Sequence, residues 1–301
     1  MTSSFGITTE RPFGIYLYDY FAKSYEFVTG NDPADFRFIS GVTPLSTFGE
    51  VSLACIAYYA LILGGQSLMK NVHEIKAKAL FQLHNLALTI VSLALLLLFV
   101  EQLFPILYNN GLFYAICDNG AWTQKLELLY YLNNLVKYWE FLDTMFLVLR
   151  KKQLEFLHWY HHSMTAALCF SQLIGRTSVS WVPITLNLMV HVFMYYYYYR
   201  AAGGARIWWK KYLTSMQIGQ FIADLVFVYF CTYTYFSERY FPWMPNSGSC
   251  AGHSYAAVFG CVLLSSYLLL FIQFFKKTYK GTGGKVPATG HSANGKSHKT
   301  E

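Results

Sequence analysis

Along this chain apolar residues gather in blocks about twenty long, and the polar stretches between them carry most of the charge. A helix of that length matches the hydrocarbon thickness of a bilayer. Seven blocks predict seven membrane helices: Val51 to Met69, Leu83 to Phe104, Leu126 to Leu149, Glu155 to Ile174, Trp181 to Tyr199, Tyr212 to Phe236 and Tyr255 to Phe275. The expected fold class is an all-α integral membrane protein with seven transmembrane helices. A non-cytosolic N-terminal segment (1–50) precedes the helical domain (51–275). A disordered cytosolic tail rich in Gly, Lys, Ser and Thr (276–301) follows it.

Composition agrees, since 54% hydrophobic against 13% charged residues is too greasy for a soluble core. The first 30 residues hold Glu10, Arg11, Asp19 and Lys23 and no continuous apolar run, so no cleavable leader is expected. The net charge of +7 gains meaning from its distribution. Sixteen of the Lys and Arg residues fall on one side, among them Lys70, Arg150, Lys151, Arg200, Lys210, Lys211 and the tail lysines, against six on the other. The positive-inside rule then places the C-terminus in the cytosol and the N-terminus in the lumen or outside. With the lysines beside apolar spans and no nucleic-acid motif, nucleic acid is not an expected partner. Cys117 and Cys250 both fall in loops on the oxidising, non-cytosolic side, which makes them a candidate disulfide.

Ionisable groups inside a span are expensive, so their depth is informative. At about 1.5 Å per residue, His161 lies roughly 10 Å from the cytosolic end of the fourth span. His191 on the fifth span, Asp143, Glu140 and Lys137 on the third, and Gln217 and Gln220 on the sixth fall in the same layer, which His84 and Asn85 could join. Helical spacing also lines them up: His158 with His161 and His162; Lys137, Glu140 and Asp143; Asn187, His191, Tyr195 and Tyr198; Thr214, Gln217, Gln220 and Asp224. A polar layer facing the cytosol above apolar surface suits a ligand with a polar head and a hydrocarbon tail, such as an acyl thioester.

Two chemistries compete for the cluster His158, His161 and His162. Membrane di-iron oxygenases use about eight histidines in several boxes. Here only His73, His84, His158, His161, His162 and His191 lie near the layer, although carboxylates could complete a metal-dependent lipid-modifying site. Alternatively a neutral imidazole, favoured by apolar surroundings, attacks the thioester carbonyl and a second one handles protons; that route requires no metal. A seven-span receptor has the same topology but needs an external ligand site, and a transporter needs polar groups across the whole membrane. No serine-hydrolase elbow or dinucleotide fingerprint is present.

Four ordered motifs resemble those of the very-long-chain fatty acid elongase (ELO) family, closest to its fungal members. They are Lys137-x-x-Glu140-x-x-Asp143-Thr144, Gln153-x-x-Phe156-Leu157-His158-x-x-His161-His162, Asn187-x-x-x-His191-x-x-Met194-Tyr195-x-Tyr197-Tyr198 and Thr214-x-x-Gln217-x-x-Gln220. The resemblance implies a 3-oxoacyl-CoA synthase of the endoplasmic reticulum membrane. Such an enzyme condenses acyl-CoA with malonyl-CoA to 3-oxoacyl-CoA, carbon dioxide and CoA, with no bound cofactor. It implies six spans enclosing an acyl tunnel open to the cytosol, His161 as nucleophile, His191 as its assistant, and His158 and His162 orienting both. Lys137, Glu140, Asp143, Gln153, Asn187, Tyr195, Tyr198, Gln217 and Gln220 would bind substrate or support the histidines. Implied partners are membrane lipid and the 3-oxoacyl-CoA reductase, 3-hydroxyacyl-CoA dehydratase and enoyl-CoA reductase of the cycle. Chain length is not legible, and nothing selects between a monomer and a homo-oligomer.

Overall fold

A computed structural model describes residues 6 to 280 of the chain. Apart from an isolated bridge between Thr8 and Arg11, every regular element among them is helical. The α-helices are α1 (Leu17–Thr29), α2 (Phe48–Met69), α3 (Lys78–Cys117), α4 (Gln124–Trp139), α5 (Phe141–Leu149), α6 (Phe156–Gly175), α7 (Trp181–Ala202), α8 (Lys210–Tyr240) and α9 (Ser254–Phe275). A π-helical turn, Lys276–Lys280, continues α9, and the rest of the expected tail, 281–301, lies outside the described residues.

Local chemistry sets several boundaries. Thr47 and Glu50 form a reciprocal capping box at the start of α2, with Thr47 Oγ1 accepting from Glu50 N at 3.2 Å and Glu50 Oε2 from Thr47 N at 2.9 Å. Thr123 Oγ1 opens α4 by accepting from Leu126 N at 3.3 Å. Pro183 sits in the first turn of α7, where its missing N–H removes no helical bond. Gly111 takes φ 79°, which breaks α3 six residues beyond Pro105.

Five helices are long and apolar enough to cross a membrane: α2, α3, α7 with the turn before it, α8, and α9 with the turn after it. The expected third and fourth spans do not meet that measure, and the third is not one helix. It divides into α4 and α5 at Glu140, where Asp143 N bonds Glu140 O at 3.0 Å in a tighter i,i+3 turn. The reasons differ: the break at Glu140 leaves α4 with 16 residues and α5 with 9, each too short, while the histidine cluster lowers the apolarity of the 20-residue α6. α4 compensates by position, with ten of its sixteen residues buried, so its polar groups face protein rather than lipid.

α3 packs along α7, α8 along α9, and α6 against α9 and α4. α2 stays peripheral against α5 and α6 and leaves Leu53, Ile56, Leu63 and Leu68 exposed. A helix apolar all round yet mostly uncovered is built for lipid. Glu101, 1% exposed within α3, accepts from Leu17 N at 2.5 Å and Tyr18 N at 2.8 Å, so this intramembrane carboxylate caps α1. At the same end Cys117 and Cys250 are joined by a disulfide, which ties the end of α3 to the loop before α9.

Candidate active site

Lys137 stands on α4 one turn from the Glu140 break, and this spacing brings their charges together. Its Nζ donates to Glu140 Oε1 and to Asn187 Oδ1 on α7, each at 2.8 Å. Because Asn187 Oδ1 accepts from the lysine, its Nδ2 is the atom that faces His191 Nε2 at 3.2 Å. His191 Nε2 is therefore the acceptor and Nδ1 carries the proton, directed at Glu140 Oε1, 3.2 Å away. That last contact is a close polar approach without hydrogen-bond geometry. Lys137, Glu140, Asn187 and His191 close a ring, with Lys137 and Glu140 each 2% exposed.

Asp143, one turn further along α5, joins a second pair of partners. His84 Nε2 on α3 donates to Asp143 Oδ1 at 2.7 Å, and Tyr195 OH on α7 donates to Asp143 Oδ2 at 2.8 Å. The Tyr195 and His191 rings meet edge to face at 5.2 Å, so the two polar groups are contiguous. This network holds α3, α4, α5 and α7 in register.

The histidine cluster of α6 divides its labour. His161 stands within a cage of Tyr267 (ring centroids 4.8 Å), Phe271 (5.8 Å) and Phe221 (6.3 Å) and makes no ion pair. His158 and His162, one turn apart, meet at 4.6 Å with their rings tilted by 56°. Among the described residues His158 Nε2 and His162 Nδ1 have no hydrogen-bond partner. Beside His161 opens a cavity of about 70 Å³, whose lining includes Lys137 and Asn187 from the ring, Gln220 and Asp224 from α8, and Leu168, Ile184, Val228 and Leu264. The lining comes from α4, α6, α7, α8, α9 and the turn before α7, and α3 contributes none of it. Five helices therefore line this space. α3 is turned toward α7 and meets the polar network from behind through His84.

Residues 43–286 match the model of the GNS1/SUR4 family, ELO. The chain belongs to the ELO family. It is 50% identical over 276 residues to putative fatty acid elongase 1 of Schizosaccharomyces pombe, covering 92% of this chain and 83% of that one. It is 38% identical over 250 residues to fatty acid elongase A of Dictyostelium discoideum (81% and 88%), and 30% identical over 279 residues to very long chain fatty acid elongase 2 of Mus musculus (82% of each).

In this ELO chain the structure brings Lys137, Glu140, Asp143, Asn187, His191 and Tyr195 into one network and sets His161 and Gln220 on the adjoining cavity. Gln217 is half-buried, with Nε2 donating to Met194 Sδ at 3.6 Å. Gln153 lies exposed in the coil between α5 and α6, and Tyr198 is 40% exposed with its ring edge toward Tyr195. Neither joins the network. His84 and Asp224 belong here although the sequence analysis assigned them no role. The signal was present, since His84 is ionisable at the right depth and Asp224 sits one turn beyond Gln220. Among the described residues, the group of three whose metal-ligating atoms converge within 4.8 Å is Cys117, Cys231 and Cys250, and two of these form the disulfide.

Proposed function

We propose that this protein is a fatty acid elongase acting as a 3-oxoacyl-CoA synthase, condensing a long-chain acyl-CoA with malonyl-CoA. The observation that carries the reading is the cavity itself: an imidazole in an aromatic cage at its side, a fixed lysine with Asn187 and Gln220 among its polar groups, and apolar walls elsewhere. An acyl thioester has that distribution of polarity.

His161 attacks the thioester carbonyl; the C–S bond breaks, CoA leaves as the thiol and an acyl-imidazole forms. Loss of carbon dioxide from malonyl-CoA leaves its electron pair on the adjacent carbon as an enolate. That carbon attacks the acyl-imidazole, the C–N bond breaks, and 3-oxoacyl-CoA departs with His161 restored. His191, held in one tautomer by Asn187 and faced by Glu140, serves the malonyl half by positioning it and by handling a proton. His158 and His162 orient the helix face that presents His161. The relatives' printed names support the elongase reading.

The membrane reading extends the same proposal. α4–α5 and α6 cross as the third and fourth passages, screened by the five apolar helices, which makes seven. The N-terminus is luminal and the tail cytosolic in the endoplasmic reticulum membrane, an orientation that puts the disulfide on the oxidising side. The products call for the two reductases and the dehydratase that complete the cycle.

The test is incubation of the purified chain with acyl-CoAs of several lengths and labelled malonyl-CoA. Release of labelled carbon dioxide with formation of 3-oxoacyl-CoA is expected, and no turnover at any length overturns the assignment.

A further inference from the structure

The cavity beside His161 is unbalanced in its hydrogen-bonding groups. Asp224 is 0% exposed; its Oδ2 accepts from Gln220 Nε2 at 3.1 Å, while Oδ1 has no donor among the described residues. Asn133 of α4, 1% exposed, directs Nδ2 at Cys169 Sγ at 3.7 Å, and its Oδ1 likewise finds no donor among them. Three other polar side chains on the lining are served. Thr165 Oγ1 donates to Tyr267 OH at 3.3 Å, Gln172 Nε2 donates to Ala256 O at 2.9 Å, and Ser180 Oγ shares a 2.5 Å bond with Thr177. The two unmatched atoms are both acceptors on one cavity.

A buried polar atom left unpaired costs about 1 to 3 kcal/mol, and more when charged. Such atoms persist where something else supplies the partner. Their depth is informative: Phe221 of α8 packs on His161 and Asp224 follows one turn later, about 5 Å further along the helix. An acyl group attached to His161 and running into the cavity passes Asp224 several methylenes from its carbonyl.

We propose that the deep part of this cavity is a hydroxyl-recognition subsite, where Asp224 Oδ1, helped by Asn133 Oδ1, accepts a hydrogen bond from a hydroxyl carried partway along the acyl chain. The substrate class this adds is the mid-chain hydroxyacyl-CoA. A hydroxyl both donates and accepts, so it satisfies the Asp224 carboxyl whether or not that carboxyl holds a proton. A plain hydrocarbon satisfies neither, and sites built to bond a hydroxyl discriminate strongly against analogues lacking it. The inference rests on the cavity being the acyl site.

The experiment compares purified full chain and its Asp224→Leu and Asp224→Asn variants on a positional series of monohydroxy acyl-CoAs and on the unsubstituted acyl-CoA of the same length. The reading is the ratio of kcat/KM for each isomer to that for the unsubstituted chain. In the parent protein one mid-chain isomer stands above its neighbours. In Asp224→Leu that isomer's ratio falls about tenfold, the scale of one lost hydrogen bond to a charged group, and Asp224→Asn falls between. Replacing a buried carboxyl by an apolar side chain of similar volume is compatible with folding. A flat series in the parent, or an unchanged ratio in Asp224→Leu, overturns the subsite. Thermal stabilisation by the same acyl-CoAs without malonyl-CoA reads the same preference in the absence of turnover. Failure to condense even the unsubstituted chain therefore defeats the condensation reading separately.

Discussion

Lys137 and Glu140 show how burial turns a charge into a constraint. Each is nearly inaccessible, and the two neutralise each other at 2.8 Å, while Lys137 also bonds Asn187 of α7 and Glu140 faces His191 on the same helix. Removing one partner of such a pair leaves an uncompensated buried charge, typically at a cost of about 3 to 5 kcal/mol. Lys137→Met is expected to lower the thermal midpoint of the detergent-solubilised protein sharply. Lys137→Met combined with Glu140→Gln recovers much of that midpoint while staying inactive, because Asn187 and His191 lose their fixed orientation. His161→Ala is expected to keep the fold, lose turnover by roughly a thousandfold or more, and fail to retain an acyl group when acyl-CoA is supplied without malonyl-CoA. Mass spectrometry of the intact protein reads the last point. The candidate residues were legible in the sequence because an ionisable group in an apolar block stands out on its own. Their division of labour was not. Spacing puts His158, His161 and His162 on one side of α6, yet only His161 lines the cavity, since a few tens of degrees around a helix separates neighbours.

At the scale of elements, apolar blocks located the helices well but misjudged continuity. α3 runs on to Cys117, far past the apolar block that announced it, and is broken at Gly111. The third expected span divides at Glu140, where a residue serving the polar ring with Lys137, Asn187 and His191 sits at the helix break. α2 shows the complementary case, with caps and apolarity fully readable but its peripheral place decided by what the other helices leave uncovered. The tie between α3 and the loop before α9 offers a direct measurement. Cys117→Ser is expected to abolish the change in gel mobility that reduction causes in the parent protein. It should also lower stability by about 2 to 4 kcal/mol, since the disulfide closes a long loop. Glu101→Gln weakens the cap on α1, and faster proteolysis within 17–29 reads it out.

Across the whole molecule the helices separate two tasks. α2, α3, α7, α8 and α9 are apolar enough to cross a membrane, while α4, α5 and α6 bring Lys137, Asp143 and the histidine cluster to meet His84 of α3, His191 of α7 and Asp224 of α8 inside. In the proposed orientation a glycosylation acceptor inserted ahead of α1 is modified in microsomes, and one placed in the tail is not. The opposite pattern reverses the topology. Membrane character, the positions of most helices, the side bearing the positive charge, the candidate disulfide and the family motifs were all determined by the sequence, because each depends on the identity and order of residues within one segment. Tertiary structure decided the rest: that His84 reaches Asp143 across 59 positions, that α4, α6, α7, α8 and α9 together line the cavity, and that Asp224 leaves an acceptor facing it. Those facts depend on rotation and packing between helices, which no single segment encodes.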